Sequence, residues 1–295
     1  MTDTQTRPPT LTGVKELLEG PSGTGKTFAI GTAVDWCDRN GIESFVLFTE
    51  QGLETLLGYW TDRGKPIPAS LHWHVPSFKT LSLDQLKAAA NQIGMLTFQS
   101  LTTLNDASRA QNNTLERLLG VMVNFPDDRT GKTFGAVDHW GPDRFFWLDS
   151  LSELAAIINK SVIGSKPVMN QGEYGLAQNQ LMNFLRLLTQ GARCHFGMTA
   201  HVSREKDEVS GGVKLMTRAI GSAISGDIPP LFSDVIYSYR EGDKFYWDTA
   251  NSLVDVKTRY LPIASKLAPD FSVVLEKWKA RNAAIAAPVA SNPPA

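Results

Sequence analysis

The chain has 295 residues, 42% hydrophobic and 20% charged, which is enough apolar side chain to bury a full core and too much for a disordered protein. Its 29 Lys and Arg against 30 Asp and Glu leave a net charge of −1, so no bulk positive field invites nucleic acid or an acidic membrane, and any such contact must be local. Two cysteines, no charged-then-apolar leader and no apolar run near the roughly 20 residues that span a bilayer predict a reducing, cytoplasmic setting and no membrane partner.

Residues 1–12 are polar with a Pro-Pro pair, and 280–295 are rich in Ala, Asn and Pro; both read as disordered tails around one domain, 13–279. An apolar strand from Val14 leads into a Gly-rich loop and a helix from about Gly25 to Asp38. Strands follow at Ser44–Thr49 and Leu71–Val75, then helical patterns at Leu83–Ala90 and Leu115–Val123. RFFWLD is an apolar strand ending at Asp149, a helix begins near Ser152, a longer one covers Gly175–Thr189, and Cys194–Ala200 is again an apolar strand. This alternation predicts an α/β fold with a twisted, mostly parallel sheet flanked by helices. DVIYSY, KFYWDT and LVDVKTRYL then read as short strands of a small antiparallel C-terminal extension.

Gly20-Pro21-Ser22-Gly23-Thr24-Gly25-Lys26-Thr27 fits the P-loop pattern between a strand and a helix, the context that gives the pattern meaning. Glycines let the backbone wrap a phosphate so that successive N–H groups and the helix N-terminus point at it. Lys26 then reaches the β- and γ-phosphates, the Thr27 hydroxyl ligates Mg²⁺, and Phe28 completes the stretch expected to contact ATP. A second GKT at Gly131-Lys132-Thr133 has no leading strand and reads as a solvated loop.

A P-loop site needs an acidic residue at the end of another apolar strand to hold Mg²⁺ through water, and Asp149 stands there; its alternative use is to cap the helix that follows. Hydrolysis needs a carboxylate to orient the attacking water, and Glu50 ends the Ser44–Thr49 strand, with Glu54 a competitor one turn later. His201 follows the strand of Cys194–Ala200, where a polar residue either touches the γ-phosphate or is merely hydrogen-bonded at a strand end.

With these residues in order, the chain resembles the RecA-like P-loop ATPases, most closely the short phage-encoded ones associated with single-strand annealing and recombination. ESFVLFTEQGLETLLGYW resembles the family's strand, catalytic Glu and following helix, which places Glu50 as catalytic base. FFWLDSLSELAAI resembles its second acidic strand, with Asp149 and Ser150 as the Asp-Ser pair. YGLAQNQLMNFLRLL and RCHFGMTAH resemble the helix and strand that lead to the γ-phosphate sensor, with His201 where RecA itself carries Gln. The resemblance implies two DNA-binding loops, at about Asn159–Tyr174 with Lys160 and Lys166, and at about Val202–Gly226. The second holds Arg204, Lys206, Lys214 and Arg218, but also Glu205, Asp207 and Glu208, a weak footprint for phosphates. VDVKTRYLP resembles the segment that reaches a neighbour's ATP, implying catalytic roles in trans for Lys257 and Arg259 and self-association as a ring or filament. A single-strand DNA-binding protein is a further implied partner, and the host cytoplasm the implied location. The chain departs from the family in the 99 positions between Glu50 and Asp149 (149 − 50), which predict a helical insertion at about 81–144.

Two functions from different classes follow: an ATPase coupled to single-stranded DNA, and a nucleotide-gated assembly or regulatory ATPase with a protein partner and no DNA contact. A helicase or packaging motor is a third. His72-Trp73-His74 puts two imidazoles on one strand face, yet no converging third ligand supports zinc. Trp36, Phe45, Phe48 and Trp147 read as core, while Trp60 and Trp140 read as exposed.

Overall fold

A computed structural model describes residues 10–77, 82–93, 114–164, 169–206 and 212–286. Its strands are β1 (Lys15–Glu19), β2 (Glu43–Phe48), β3 (Leu71–His74), β4 (Arg144–Asp149), β5 (His195–Ala200), β6 (Val202–Lys206), β7 (Val213–Thr217), β8 (Asp234–Glu241) and β9 (Lys244–Asp248). The helices are α1 (Lys26–Arg39), α2 (Leu53–Thr61), α3 (Leu83–Ile93), α4 (Thr114–Val123), α5 (Leu151–Ile163), α6 (Gln171–Arg186) and α7 (Ser272–Ala286). Seven strands form one sheet in the order β3-β2-β4-β5-β1-β8-β9, parallel throughout except for β9, while β6 and β7 pair as a separate antiparallel ribbon.

Strand alternation sorts the apolar side chains into two layers. Leu17, Phe146, Leu148, Phe196 and Met198 face α4, α5 and α6, while Leu18, Phe145, Trp147 and Ile236 face α1, α2 and α7. Each fully buried side chain of this kind is worth about 1.5–3 kcal/mol, so both layers hold the sheet between helices. The β4 strand is buried along almost its whole length, which is why RFFWLD reads as a continuous apolar run and not as an alternation. Helix α6 starts where Asn170 and Glu173 form a reciprocal capping box, and α1 ends at Asn40 before Gly41 in the left-handed region.

Several expectations are corrected. Trp60 and Trp140 are buried, at 1% and 5% exposure, because Trp60 packs under α1 with its Nε1 on Asp35 and Trp140 closes the aromatic cluster around Phe45. The segment LVDVKTRYL is no strand; it holds isolated bridges at Val254 and Lys257 and then turns around Asp234, whose Oδ1 accepts the backbone N–H groups of Arg259 and Tyr260. The C-terminal extension is accordingly smaller than expected, since β8 joins the parallel sheet beside β1 and only β9 is antiparallel. Helix α7 runs past residue 279 to Ala286: Val274, Leu275 and Trp278 are buried in the layer with α1, Trp278 Nε1 donates to Thr12 O, and farther along Asn282 Oδ1 accepts from Leu11 N while Arg281 lies over the Tyr260 ring. In place of a loop after His201 stands the β6–β7 ribbon. The chain between α5 and α6 is only 164–170, and of the two expected DNA-binding loops Lys166, Asp207 and Glu208 lie outside the described residues. So do 1–9 and 287–295 of the tails and 94–113 of the insertion; its described parts are the helices α3 and α4, the second sending Leu118 and Met122 into the core, followed by a largely irregular stretch over 124–143.

The second GKT is exposed, yet the turn that carries it docks on the open edge of β3. Asp128 N donates to Trp73 O at 2.9 Å, and Asp127 Oδ1 accepts from Trp73 N. Asp127 is 1% exposed and also meets His72 Nδ1 at 3.0 Å and the Thr130 hydroxyl at 2.6 Å, while Asp128 meets His74 at the surface. The two imidazoles expected on one face are thus each taken by a carboxylate, and the edge strand is covered. Asp127→Ala should lower unfolding free energy by about 2–3 kcal/mol, the scale of a buried charged hydrogen-bond acceptor, and Asp128→Ala by less than about 1 kcal/mol. Urea denaturation of the two variants checks this, and equal losses would mean that the turn is not held through Asp127.

Candidate functional site

The loop of 20–25 leaves the C-terminal end of β1 and turns into α1. Gly25 sits at φ 81°, where an L side chain is strained, and its missing Cβ would press on the Phe245 ring at 3.3 Å. No side chain caps α1 and no acidic residue lies in its first turn, so the positive end of the helix meets no side-chain acceptor at its cap. The loop is braced from both sides: Gly20 N donates to Ala200 O at the end of β5, and the buried Ser238 hydroxyl of β8 donates to Thr24 O at 2.8 Å. Lys26 is folded onto its own loop, donating to Gly20 O at 2.9 Å and Pro21 O at 2.8 Å. Burial pulls its ammonium down to about 8, while the neighbouring Asp149 and Glu50 charges favour the protonated form.

Three strand ends meet above this loop. Thr27 Oγ1 donates to Asp149 Oδ2 at 2.7 Å, and the Thr199 hydroxyl of β5 donates to Asp149 Oδ1. Burial pushes the Asp149 carboxyl above its ordinary value, and the two hydroxyls work against that shift. Asp149 is no helix cap: Ser150 takes that position, accepting from Glu153 N, so the carboxylate is left to the site. Glu50, at the end of β2, is held below the ordinary carboxylate value chiefly by the His201 imidazole, whose Nε2 stands 3.9 Å away, against partial burial. His201 N donates to Ser152 Oγ at 2.9 Å, and Arg218 N donates to His201 O, tying the start and end of the β6–β7 ribbon to this corner.

The fold thus gathers Lys26, Thr27, Glu50, Asp149 and His201 at one end of the sheet. Parallel α/β sheets bind ligands in this crevice, where connections leave neighbouring strands in opposite directions; here β1 leads to β2 on one side and β5 to β8 on the other. A hydroxyl and a carboxylate as the oxygen donors suit a hard cation such as Mg²⁺. Beside Gly25 and Phe28 opens a cavity of about 460 Å³ walled by Tyr59, Phe245 and Tyr246 and rimmed by Arg63 and Lys244.

Lys257 and Arg259 do not join this site within the chain. Lys257 pairs with Val235, which lies beside Leu17 well before the loop, and its Nζ donates to Phe232 O at 2.7 Å and Pro230 O at 3.2 Å. With Arg259 and Lys15 it lines a cavity of about 220 Å³ at the opposite end of β1 and β8.

Sequence reasoning missed Ser238, Thr199 and Glu19. The signal was a polar residue inside an apolar strand. Glu19 precedes Gly20, is fully buried, and accepts from the Thr217 hydroxyl at 2.7 Å, fastening β7 to the foot of the loop. Neither a known protein family nor a curated protein matches this chain.

Burial raises the Glu19 carboxyl from 4.5 to about 7, against the Thr217 hydrogen bond. The folded chain therefore holds a proton there that the unfolded chain releases, so stability from this group declines as pH rises between those two values. Glu19→Gln keeps an acceptor for Thr217 and removes the charge. It should exceed the parent in stability by up to about 3 kcal/mol at pH 8, with the gap closing toward pH 4.5, as urea unfolding across pH would read. A difference independent of pH would show that Glu19 does not titrate in this range.

Proposed function

We propose that this chain is a Mg²⁺-dependent ATPase with a RecA-like P-loop core, acting on single-stranded DNA in recombination or annealing. The observation that carries the reading is the convergence of Lys26, Thr27, Asp149 and Glu50 from the ends of β1, β4 and β2. Lys26, now on Gly20 O and Pro21 O, would exchange those carbonyls for phosphate oxygens, and the first N–H groups of α1, which no side chain caps, would meet the same charge. Thr27 and Asp149 would hold Mg²⁺, which supplies charge neutralisation in phosphoryl transfer. Glu50, kept ionised by His201, would orient the attacking water and accept its proton. The cavity beside Phe28, with its aromatic walls, would take the base.

Two parts of the reading reach beyond one subunit. Lys257 and Arg259 stand at the far end of the sheet, so they would serve catalysis only from a neighbouring copy, in a ring or filament. The β6–β7 ribbon presents Arg204 and Lys206 directly after His201 and would couple nucleotide state to the DNA backbone. A protein partner in place of DNA is favoured by one observation: Lys214 is paired with Asp255 at 2.8 Å and Glu205 lies between Arg204 and Lys206, which weakens the positive field.

ATP turnover with and without single-stranded DNA, at two salt concentrations, tests the reading. Lys26→Ala should abolish nucleotide binding, and Glu50→Gln should lower turnover by about 10²–10⁴-fold while binding persists. Stimulation by DNA should fade with salt. An unstimulated rate without DNA binding in anisotropy would transfer the reading to a protein partner, and unchanged ATP affinity in Lys26→Ala would refute the site. Arg259→Ala should lower turnover and spare binding in the assembled protein; an equal loss in a dilute monomer would remove the role in trans.

A further inference from the structure

The Asp149 carboxylate is 2% exposed and has two hydroxyl donors, one on each oxygen. Thr27, on Oδ2, comes from the first turn of α1 and belongs to the P-loop pattern. Thr199, on Oδ1, comes from β5, the strand inserted between β1 and β4. It is 0% exposed and lies in register beside Leu18, one position past the Leu148–Met198 pair that sets β4 against β5. Its methyl side could be supplied by valine; only its hydroxyl distinguishes it in this apolar strand. On the opposite side the carboxylate is walled by the β2–α2 turn, where a Cβ at Gly52 would stand 2.7 Å from Oδ2. The carboxylate therefore has one anchored oxygen, one oxygen facing Thr27, and little room to change places.

We propose that Thr199 is a positioning residue for metal loading: its hydroxyl fixes Oδ1 of Asp149 so that Oδ2 stays directed at Thr27 and the cation that Thr27 would ligate. This rests on the nucleotide reading above and adds to it a residue outside the P-loop and both acidic strands. The physical reason is the scarcity of donors. Without the Thr199 hydroxyl, Oδ1 would be a buried oxygen with no partner, and the carboxylate would turn to share the Thr27 hydroxyl, withdrawing it from the metal position. Groups that orient a ligand from behind commonly change metal affinity about 10–100-fold when removed.

The test is a titration of Mg²⁺ into the full-length protein with a fluorescent ATP analogue, read as nucleotide affinity both with Mg²⁺ and with EDTA in its place. Thr199→Val should leave affinity in EDTA unchanged and raise the half-saturating Mg²⁺ concentration about 10–100-fold, and Thr199→Ser should restore most of the loss. Should the valine variant fail to fold by circular dichroism, Thr199→Ala removes the same hydroxyl without added bulk and carries the same expectation. A wild-type Mg²⁺ dependence in the hydroxyl-less variant overturns the proposal while leaving the nucleotide site standing. So does an equal loss with and without Mg²⁺, which marks a purely structural role. Absence of analogue binding to the parent protein itself refutes the nucleotide reading, and the role of Thr199 with it.

Discussion

A carboxylate taken out of water must be met by donors, and the candidate site is organised around how Asp149 meets that requirement. Its two hydroxyl partners come from α1 and from β5, so the buried charge ties β4 to the strand between it and β1 and to the helix that leaves β1. Were β4 shifted by one residue against β5, the carboxylate would swing to the other face of the sheet and lose both donors. The register of the central strands and the integrity of the site are thus the same constraint. The same logic recurs at Glu19, where a buried carboxylate below the loop takes the Thr217 hydroxyl and anchors the ribbon to β1. Lys15 repeats it with opposite charge, its ammonium donating to the carbonyls of Leu188, Ala192 and Cys194.

These buried polar contacts make the loop end of the sheet a connected frame. Ser238 braces Thr24, Ala200 braces Gly20, and Ser152 holds the His201 backbone while the His201 ring stands by Glu50. Displacement of Lys26 from the carbonyls of 20 and 21 by a phosphate would alter the loop that β8 and β5 support. The ribbon is fastened one residue upstream, at Glu19. That continuity gives the proposed coupling between nucleotide and ribbon a physical route through packed, hydrogen-bonded groups.

Much of the fold was legible, for local reasons. The apolar runs of β2, β4 and β5 identified themselves because strands buried on both faces lack polar alternation, and Asp149 and Glu50 were found because each stands at or just past the end of such a run, while Lys26 and Thr27 were found from the glycine-rich pattern that holds them. What escaped were elements whose burial comes from elsewhere in the chain. Helix α7 follows a weakly periodic pattern and is held by contacts to α1 and residue 12; Trp60, at the end of α2, and Trp140, in an irregular stretch, are covered by aromatic and carboxylate partners from other elements. The β6–β7 ribbon is only partly buried, and it is fastened to the sheet by Thr217 finding a carboxylate 198 positions away. LVDVKTRYL looked extended because of its β-branched residues, but the oxygen of Asp234 drew its backbone into turns.

The sequence alone determined the P-loop pattern between a strand and a helix, the central alternation of strands and helices, and which carboxylates end apolar strands, since each of these is encoded within a dozen neighbouring residues. Tertiary structure alone decided that β5 inserts between β1 and β4, that Thr199 thereby reaches Asp149, and that Lys257 and Arg259 stand at the far end of the sheet. Those outcomes rest on hydrogen bonds and strand pairings between residues far apart in the chain, such as the 122 positions from Thr27 to Asp149, and no local pattern carries that information.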